Sequence, residues 1–216
     1  MSGVTGTRKP RGPYRAGIRR REQIVAAAID VFGESGFAGG SVRTIAERVG
    51  VSHATLLQHF GSKEGLLTAV LAEWDRQTVV GNLADVVGLD YFRRLPDVMA
   101  GHVHHRGLLE LFTTIAAEAS STDHPAHAFV QARYTGNLAT LAGHLTHAVD
   151  AGDVRPLTPA EITTEVRLVT AVLDGIGLQW LLDPSTDVVT ATRTFVTRTI
   201  AAWRGDGPLD GAGQQS

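Results

Sequence analysis

The residues with the most telling spacing lie between Ser41 and His59, in the run Ser-Val-Arg-Thr-Ile-Ala-Glu-Arg-Val-Gly-Val-Ser-His-Ala-Thr-Leu-Leu-Gln-His. Ala46 is small where two helices must cross closely, and Gly50 follows four residues later, where a tight turn wants a positive φ. Ile45, Val49, Val51 and Leu56 are the apolar contacts that hold two short helices at an angle. Ser52 caps the second helix and leaves its first turn polar and turned outward. A short helix with a free polar first turn is what a major-groove reader requires. An ordinary helical hairpin with a tight turn is the plainer alternative.

Other chemistry finds less support. There is no cysteine, which excludes disulfides, thiolate catalysis and cysteine-based zinc or iron–sulfur sites. The nine histidines include His102/His105, His124/His127 and His144/His147, each pair three apart. Such a pair places two imidazoles on one helix face and binds zinc only with a third ligand. No carboxylate stands at a recognisable spacing, so no metal and no cofactor is expected. No nucleophile–base set, phosphate loop or supported carboxylate pair points to an enzyme.

Charge follows the same division as the motif. Residues 1–63 hold ten Lys/Arg against four acids, a balance of +6; residues 64–216 hold ten against eighteen, a balance of −8. A basic head on an acidic body suggests an electrostatic footprint at the amino terminus. Seven of the bases fall between Arg8 and Arg21. That segment either follows a DNA backbone or enters a minor groove, or else is a solubilising tail. No apolar run reaches the roughly 18 residues of a membrane span, and no apolar stretch follows the first charges as in a signal peptide. A cytoplasmic protein without membrane contact is the expectation.

These residues must be held by helices, because apolar residues recur at helical period and period-two alternation is absent over any useful length. Nine helices are expected, with no strand. They cover about 19–35, stopped by Gly36; 42–49; 53–59; 63 to about 80, capped by Ser62, with Leu66, Leu67, Val70, Leu71 and Trp74 apolar; 90–105, kinked or delayed by Pro96; 108–120; 125–151; 159–183, opened by the capping box Thr158-Pro-Ala-Glu161; and 186–204. Residues 1–17 read as a disordered basic arm and 205–216 as a disordered tail. Residues 18–64 form one domain and 65–204 a second.

In the second domain the helix over 159–183 is apolar at Ile162, Val166, Val169, Leu173, Ile176 and Trp180, with Leu168, Val172, Leu178 and Leu182 partly on another side. Gly175 and Gly177 interrupt it at a cost of about 1 kcal/mol each, which a close helix approach would offset. Two long helices apolar on more than one face must cover the monomer core and something else. We expect an isologous homodimer through the last two helices, packed as a four-helix bundle; the plainer alternative is that both helices are central in one monomer. Met99, His102, Phe112, Ile115, Ala116, Tyr134, Asn137, Leu138, Leu141 and Trp180, with Leu109, are candidates to line a mostly hydrophobic ligand pocket. Tyr134 and Asn137 break the apolar stripe Val130–Leu138–Leu141–Leu145, either to orient a ligand or as an internally satisfied core pair.

From Arg19 to Leu71 the sequence resembles the DNA-binding domain of the TetR family. The resemblance is carried by Ile24-Val-Ala-Ala-Ala-Ile-Asp-Val-Phe, Gly36-Phe37, Thr44-Ile-Ala-Glu, Gly50-Val-Ser, Thr55-Leu56, Phe60 and Ser62-Lys-Glu-Gly-Leu-Leu67. It departs from the family at Leu57, where a tyrosine is usual, and at His59-Phe60, very often Tyr-Phe. A tyrosine hydroxyl there reaches a phosphate; Leu57 cannot do so, and His59 can. Chemistry and position in this motif give the remaining roles. Arg43 and Thr44 are expected on phosphates. His53, Ala54 and Thr55, opened by Ser52, face base edges, and Gln58 reads adenine or touches phosphate. Lys63 binds a phosphate beside the free N–H groups of the next helix.

The resemblance implies an all-α, TetR-like fold in which the last two long helices form the dimer. It also implies double-stranded operator DNA and a small-molecule effector as partners, and repression relieved by that effector. The alternatives are a ligand-independent, DNA-architectural dimer and, more remotely, a small all-α enzyme.

Overall fold

The computed structural model describes residues 12–78 and 83–205. Every regular element among them is helical. The helices are α1 (Gly12–Gly39), α2 (Val42–Val49), α3 (His53–Phe60), α4 (Lys63–Thr78), α5 (Leu89–Arg93), α6 (Leu95–His104), α7 (Arg106–Glu118), α8 (His127–Asp150), α9 (Pro159–Leu182) and α10 (Val188–Arg204), with one 3₁₀ turn at Leu83–Asp85. The expected helix over 90–105 is broken in two. Arg94 ends α5 and Pro96 stands in the first turn of α6, the one place where a missing backbone N–H costs nothing. The other eight expected helices are each found as one element.

Two sequence expectations need correction. The first helix begins at Gly12, not near Arg19, so residues 12–17 of the expected arm are helical. A proline tolerated in a first turn makes a Gly/Pro-rich stretch a poor sign of disorder there. Gly36, expected as the stop, has non-helical angles (φ 67°, ψ 171°), and a short further turn follows it. Residues 1–11 of the arm, Val80, the side chain of Trp74 and residues 206–216 of the tail lie outside the described residues. Second, the chain divides into Met1–Glu73 and Trp74–Ser216, within α4 and not at its start. The first half of α4 carries Leu66, Leu67, Val70 and Leu71, all at most 1% exposed, and so belongs to the first unit.

The first unit is built on Ile24, Ala28, Val31, Phe32 and Phe37 of α1, Ile45 of α2 and Leu56 of α3, all buried. In the second unit Trp203 of α10 organises one end. Its ring meets Phe92 edge-on at 4.9 Å, its N–H donates to the Glu165 carboxylate at 2.9 Å, and its carbonyl accepts from Arg155 at 2.8 Å. Leu89, Leu145, Val154, Ile162, Val166 and Ile200 close around this cluster. α9 starts at the expected capping box, with both reciprocal bonds between Thr158 and Glu161 present. No helix among the described residues is long and apolar enough to cross a membrane.

Candidate nucleic-acid interface

Two serine caps and one glycine build the candidate interface. The Ser41 hydroxyl accepts the Thr44 N–H at 2.9 Å and starts α2. Gly50 ends it in the left-handed region (φ 68°), where a side chain would be strained, and its N–H returns to the α2 carbonyls. Val51 N–H then bonds the Ala46 carbonyl at 2.9 Å, turning the chain in two residues so that Ser52 can cap α3 by accepting the Thr55 N–H at 3.0 Å. Ile45, Ala46 and Leu56 are buried in the crossing and Val49 and Val51 half-buried, as the spacing requires.

The other faces of α2 and α3 point to solvent. Arg43, Thr44, Ser52, His53, Ala54, Gln58 and His59 are exposed, and Thr55, Leu57 and Lys63 are half-buried. Arg43, Ala46, Glu47, Val51 and His53 line a concavity between α2 and the start of α3. Several of these groups already have partners. Arg43 is ion-paired with Glu47 at 2.9 Å, which raises its pKa further. The Thr44 hydroxyl lies 2.9 Å from Ser41 Oγ and the Thr55 hydroxyl 2.8 Å from Ser52 Oγ. The Lys63 ammonium sits 4.6 Å from the Phe37 ring centre and 5.9 Å from that of Phe32. Ser62 caps α4 through the Gly65 N–H at 3.1 Å. Gly65 is required by crowding, because a Cβ there would fall 2.0 Å from the Phe60 carbonyl oxygen.

Sequence reasoning missed a second set of contacts that brace this unit. Arg48 bonds both carboxylate oxygens of Glu34, at 3.2 and 3.1 Å, and holds that acid below the usual carboxylate range. Arg20 reaches the Val49 carbonyl at 3.4 Å, and Arg21 lies 5.3 Å over the Phe60 ring. Local period carries no signal for partners so far apart in the chain.

The candidate pocket residues separate into groups. Met99, Ile115, Leu141 and Trp180 are buried; His102, Phe112, Ala116, Tyr134 and Leu138 are half-buried. The Phe112 and Tyr134 rings stack at 5.9 Å, and Arg133 lies 5.6 Å over Phe112. Gly177 faces Leu109 and Met99, the close approach expected of it, whereas Gly175 faces open space. Leu138 and Leu141 belong instead to the Trp203 cluster. The expected polar pair is not a pair. The Tyr134 hydroxyl donates to Asp174 at 2.8 Å, and Asn137 is exposed although it shares the helical phase of Val130 and Leu141. Asp174, on α9, was not anticipated; desolvation raises its pKa against the opposing bond from Tyr134. Of the histidine pairs, His144 stacks on Tyr91 at 3.9 Å and His127 bonds the Ala119 carbonyl at 2.8 Å. No three His, Cys, Asp or Glu among the described residues are placed to hold a metal ion.

A helix pair with an exposed, capped second member has the geometry of a helix-turn-helix motif. Residues 24–70 match the model of the bacterial regulatory proteins, tetR family. The chain is 42% identical over 71 residues to the transcriptional activator FasR of Mycolicibacterium smegmatis, covering 31% of this chain and 32% of that one. It is 30% identical over 112 residues to the transcriptional repressor KstR2 of Rhodococcus jostii, covering 52% and 48%. These matches span less than half the length of the curated relatives. Beyond them the fold is shared with FadR of Bacillus subtilis, solved in complex with stearoyl-CoA, at TM-score 0.68 and 18% identity over 83% of this chain and 97% of that one. Residues 24–70 are thus a DNA-binding segment of the tetR type, and the described helices share the fold of solved regulators of that kind.

Proposed function

We propose that the chain is a homodimeric, one-component repressor that leaves its operator when a small, mostly hydrophobic molecule binds its second unit. The observation that carries the proposal is the exposed first turn of α3, where His53 and Ala54 stand clear of the protein beside Thr55. In this reading Arg43, Thr44, His59 and Lys63 position the backbone, and His53, Ala54, Thr55 and Gln58 read base edges. The dimer forms through α9 and α10. Leu168, Leu178 and Leu182 are 54%, 45% and 78% exposed on α9, an apolar outlay that a second copy would cover.

The effector site is proposed around Met99, Leu109, Phe112, Ile115, Tyr134 and Trp180. The Tyr134 hydroxyl, bonded to Asp174, supplies a polar group next to the Phe112 ring. A ligand that prefers the released arrangement lowers DNA affinity by its differential binding energy. The stearoyl-CoA complex of the FadR neighbour makes long-chain acyl thioesters the first class to test. The longer of the two curated matches is to a repressor and supports repression.

The test is thermal shift against fatty acids, acyl-CoAs and lipophilic metabolites, followed by titration of the best binder into the protein–operator complex. Release of DNA is expected. A binder that raises the melting temperature without moving the DNA equilibrium would favour the ligand-independent architectural reading.

A further inference from the structure

The amino-terminal charges separate by the side of α1 on which they fall. Ile24, Val25, Ala27, Ala28 and Val31 bury one face of the helix. Arg20 and Arg21 stand four residues before Ile24 and Val25, so they carry that face one turn past the core. Arg15 and Arg19, also four apart, fall on the other side; all four arginines are exposed, and the two sides differ in their partners. Arg20 donates to the Val49 carbonyl at 3.4 Å. That carbonyl is one of the terminal groups of α2 that helix geometry leaves without an intrahelical donor. The Arg21 guanidinium lies 5.3 Å over the ring of Phe60, the last residue of α3. The Glu34–Arg48 pair joins the other end of α1 to α2. The carboxyl ends of both reading helices are thus tied to α1 through cations.

Resting on the DNA-binding reading above, we propose that Arg20 and Arg21 are positioning residues of the DNA-reading unit. They set the angle of α3 by holding the Val49 carbonyl and the Phe60 ring, and they do not neutralise phosphates. The consequence is a specific electrostatic signature. A phosphate ligand contributes about 0.9 to the slope of log affinity against log salt on any duplex. A positioning residue contributes nothing to that slope and matters only where α3 must meet particular bases.

The experiment uses the full chain and two probes: a duplex selected on the protein from a randomised pool, and a 30-base-pair mixed-sequence duplex of the same length. Affinities are measured across a potassium chloride series for the wild type and for Arg20→Ala, Arg21→Ala, Arg21→Met and Arg21→Lys. We expect the alanine variants to bind the selected duplex roughly two- to fivefold more weakly at every salt, in lines parallel to the wild type. The mixed-sequence duplex is bound as by the wild type, and Arg21→Lys recovers most of the loss. Arg21→Met keeps the stem packed without the charge and reads the slope should an alanine variant fail to fold. A slope shallower by about 0.9 on both duplexes, or no loss on either, overturns the proposal. A wild-type protein that binds neither duplex overturns the DNA-binding reading itself.

Discussion

The Ser52 hydroxyl accepts the Thr55 backbone N–H at 3.0 Å and lies 2.8 Å from the Thr55 hydroxyl. The group that starts α3 is therefore also bonded to one of the side chains proposed to face bases, and shape and recognition can be separated by substitution. Ser52→Ala removes the cap and should cost about 1 kcal/mol of first-unit stability. Ser52→Asp keeps the cap and places a carboxylate against the duplex, so thermal stability stays near wild type while DNA affinity collapses. Melting curves and DNA titrations on the two variants check the separation; equal DNA affinity for Ser52→Asp and wild type would contradict it.

Thr192 of α10 is 0% exposed and its hydroxyl has no hydrogen-bond partner among the described residues. A buried hydroxyl without a hydrogen bond is a net cost, and valine has the same shape without it. Thr192→Val should raise second-unit stability by about 1 kcal/mol in urea titration, with no change in DNA affinity. A loss of stability would mean that the hydroxyl is satisfied in solution.

Trp203 is the converse case, a buried polar group that is fully used. Replacing it with alanine removes both the ring on Phe92 and the donor to Glu165, and should cost about 3–5 kcal/mol. Trp203→Phe keeps much of the ring contact and should lose about 1–2 kcal/mol, the share of the hydrogen bond. Urea unfolding of the full chain, followed by a probe in each unit, should place both losses in the unfolding of the second unit.

His144 gives a pH dependence of known sign. Burial, and next the neighbouring His147, hold its pKa below the ordinary 6.5. The folded state therefore takes up this proton less readily than the unfolded state. The stability it contributes is complete above pH 6.5 and falls as pH drops from 6.5 toward the lowered folded value. His144→Phe keeps a ring against Tyr91 and cannot titrate. The urea midpoint of the wild type should fall more than that of the variant between pH 7.5 and 5.5; superimposable pH profiles would contradict this.

What the sequence made legible was local. Ser41, Ser52, Ser62, Thr158 with Glu161, and Gly50 each act within four residues of their own position, and each is found in its expected place. The exposed face of α3 followed from period and capping alone. What escaped lies far apart in the chain: Arg48 with Glu34, Arg21 with Phe60, Tyr134 with Asp174, Lys63 with Phe37. Asn137 is exposed although it stands seven residues after Val130 and four before Leu141, so helical phase alone could not reveal its exposure. The start of α1 was misplaced because glycine and proline weigh against a helix except in its first turn.

Selection from a randomised duplex pool tests whether the first turn of α3 reads DNA. Enrichment of a two-fold symmetric site is expected, with half-sites about one helical turn, or a multiple of it, apart. Binding to that site should fall roughly tenfold or more for His53→Ala combined with Thr55→Ala, with melting behaviour retained. A pool that yields no common sequence, or a selected site held equally well by the doubly substituted protein, would contradict it.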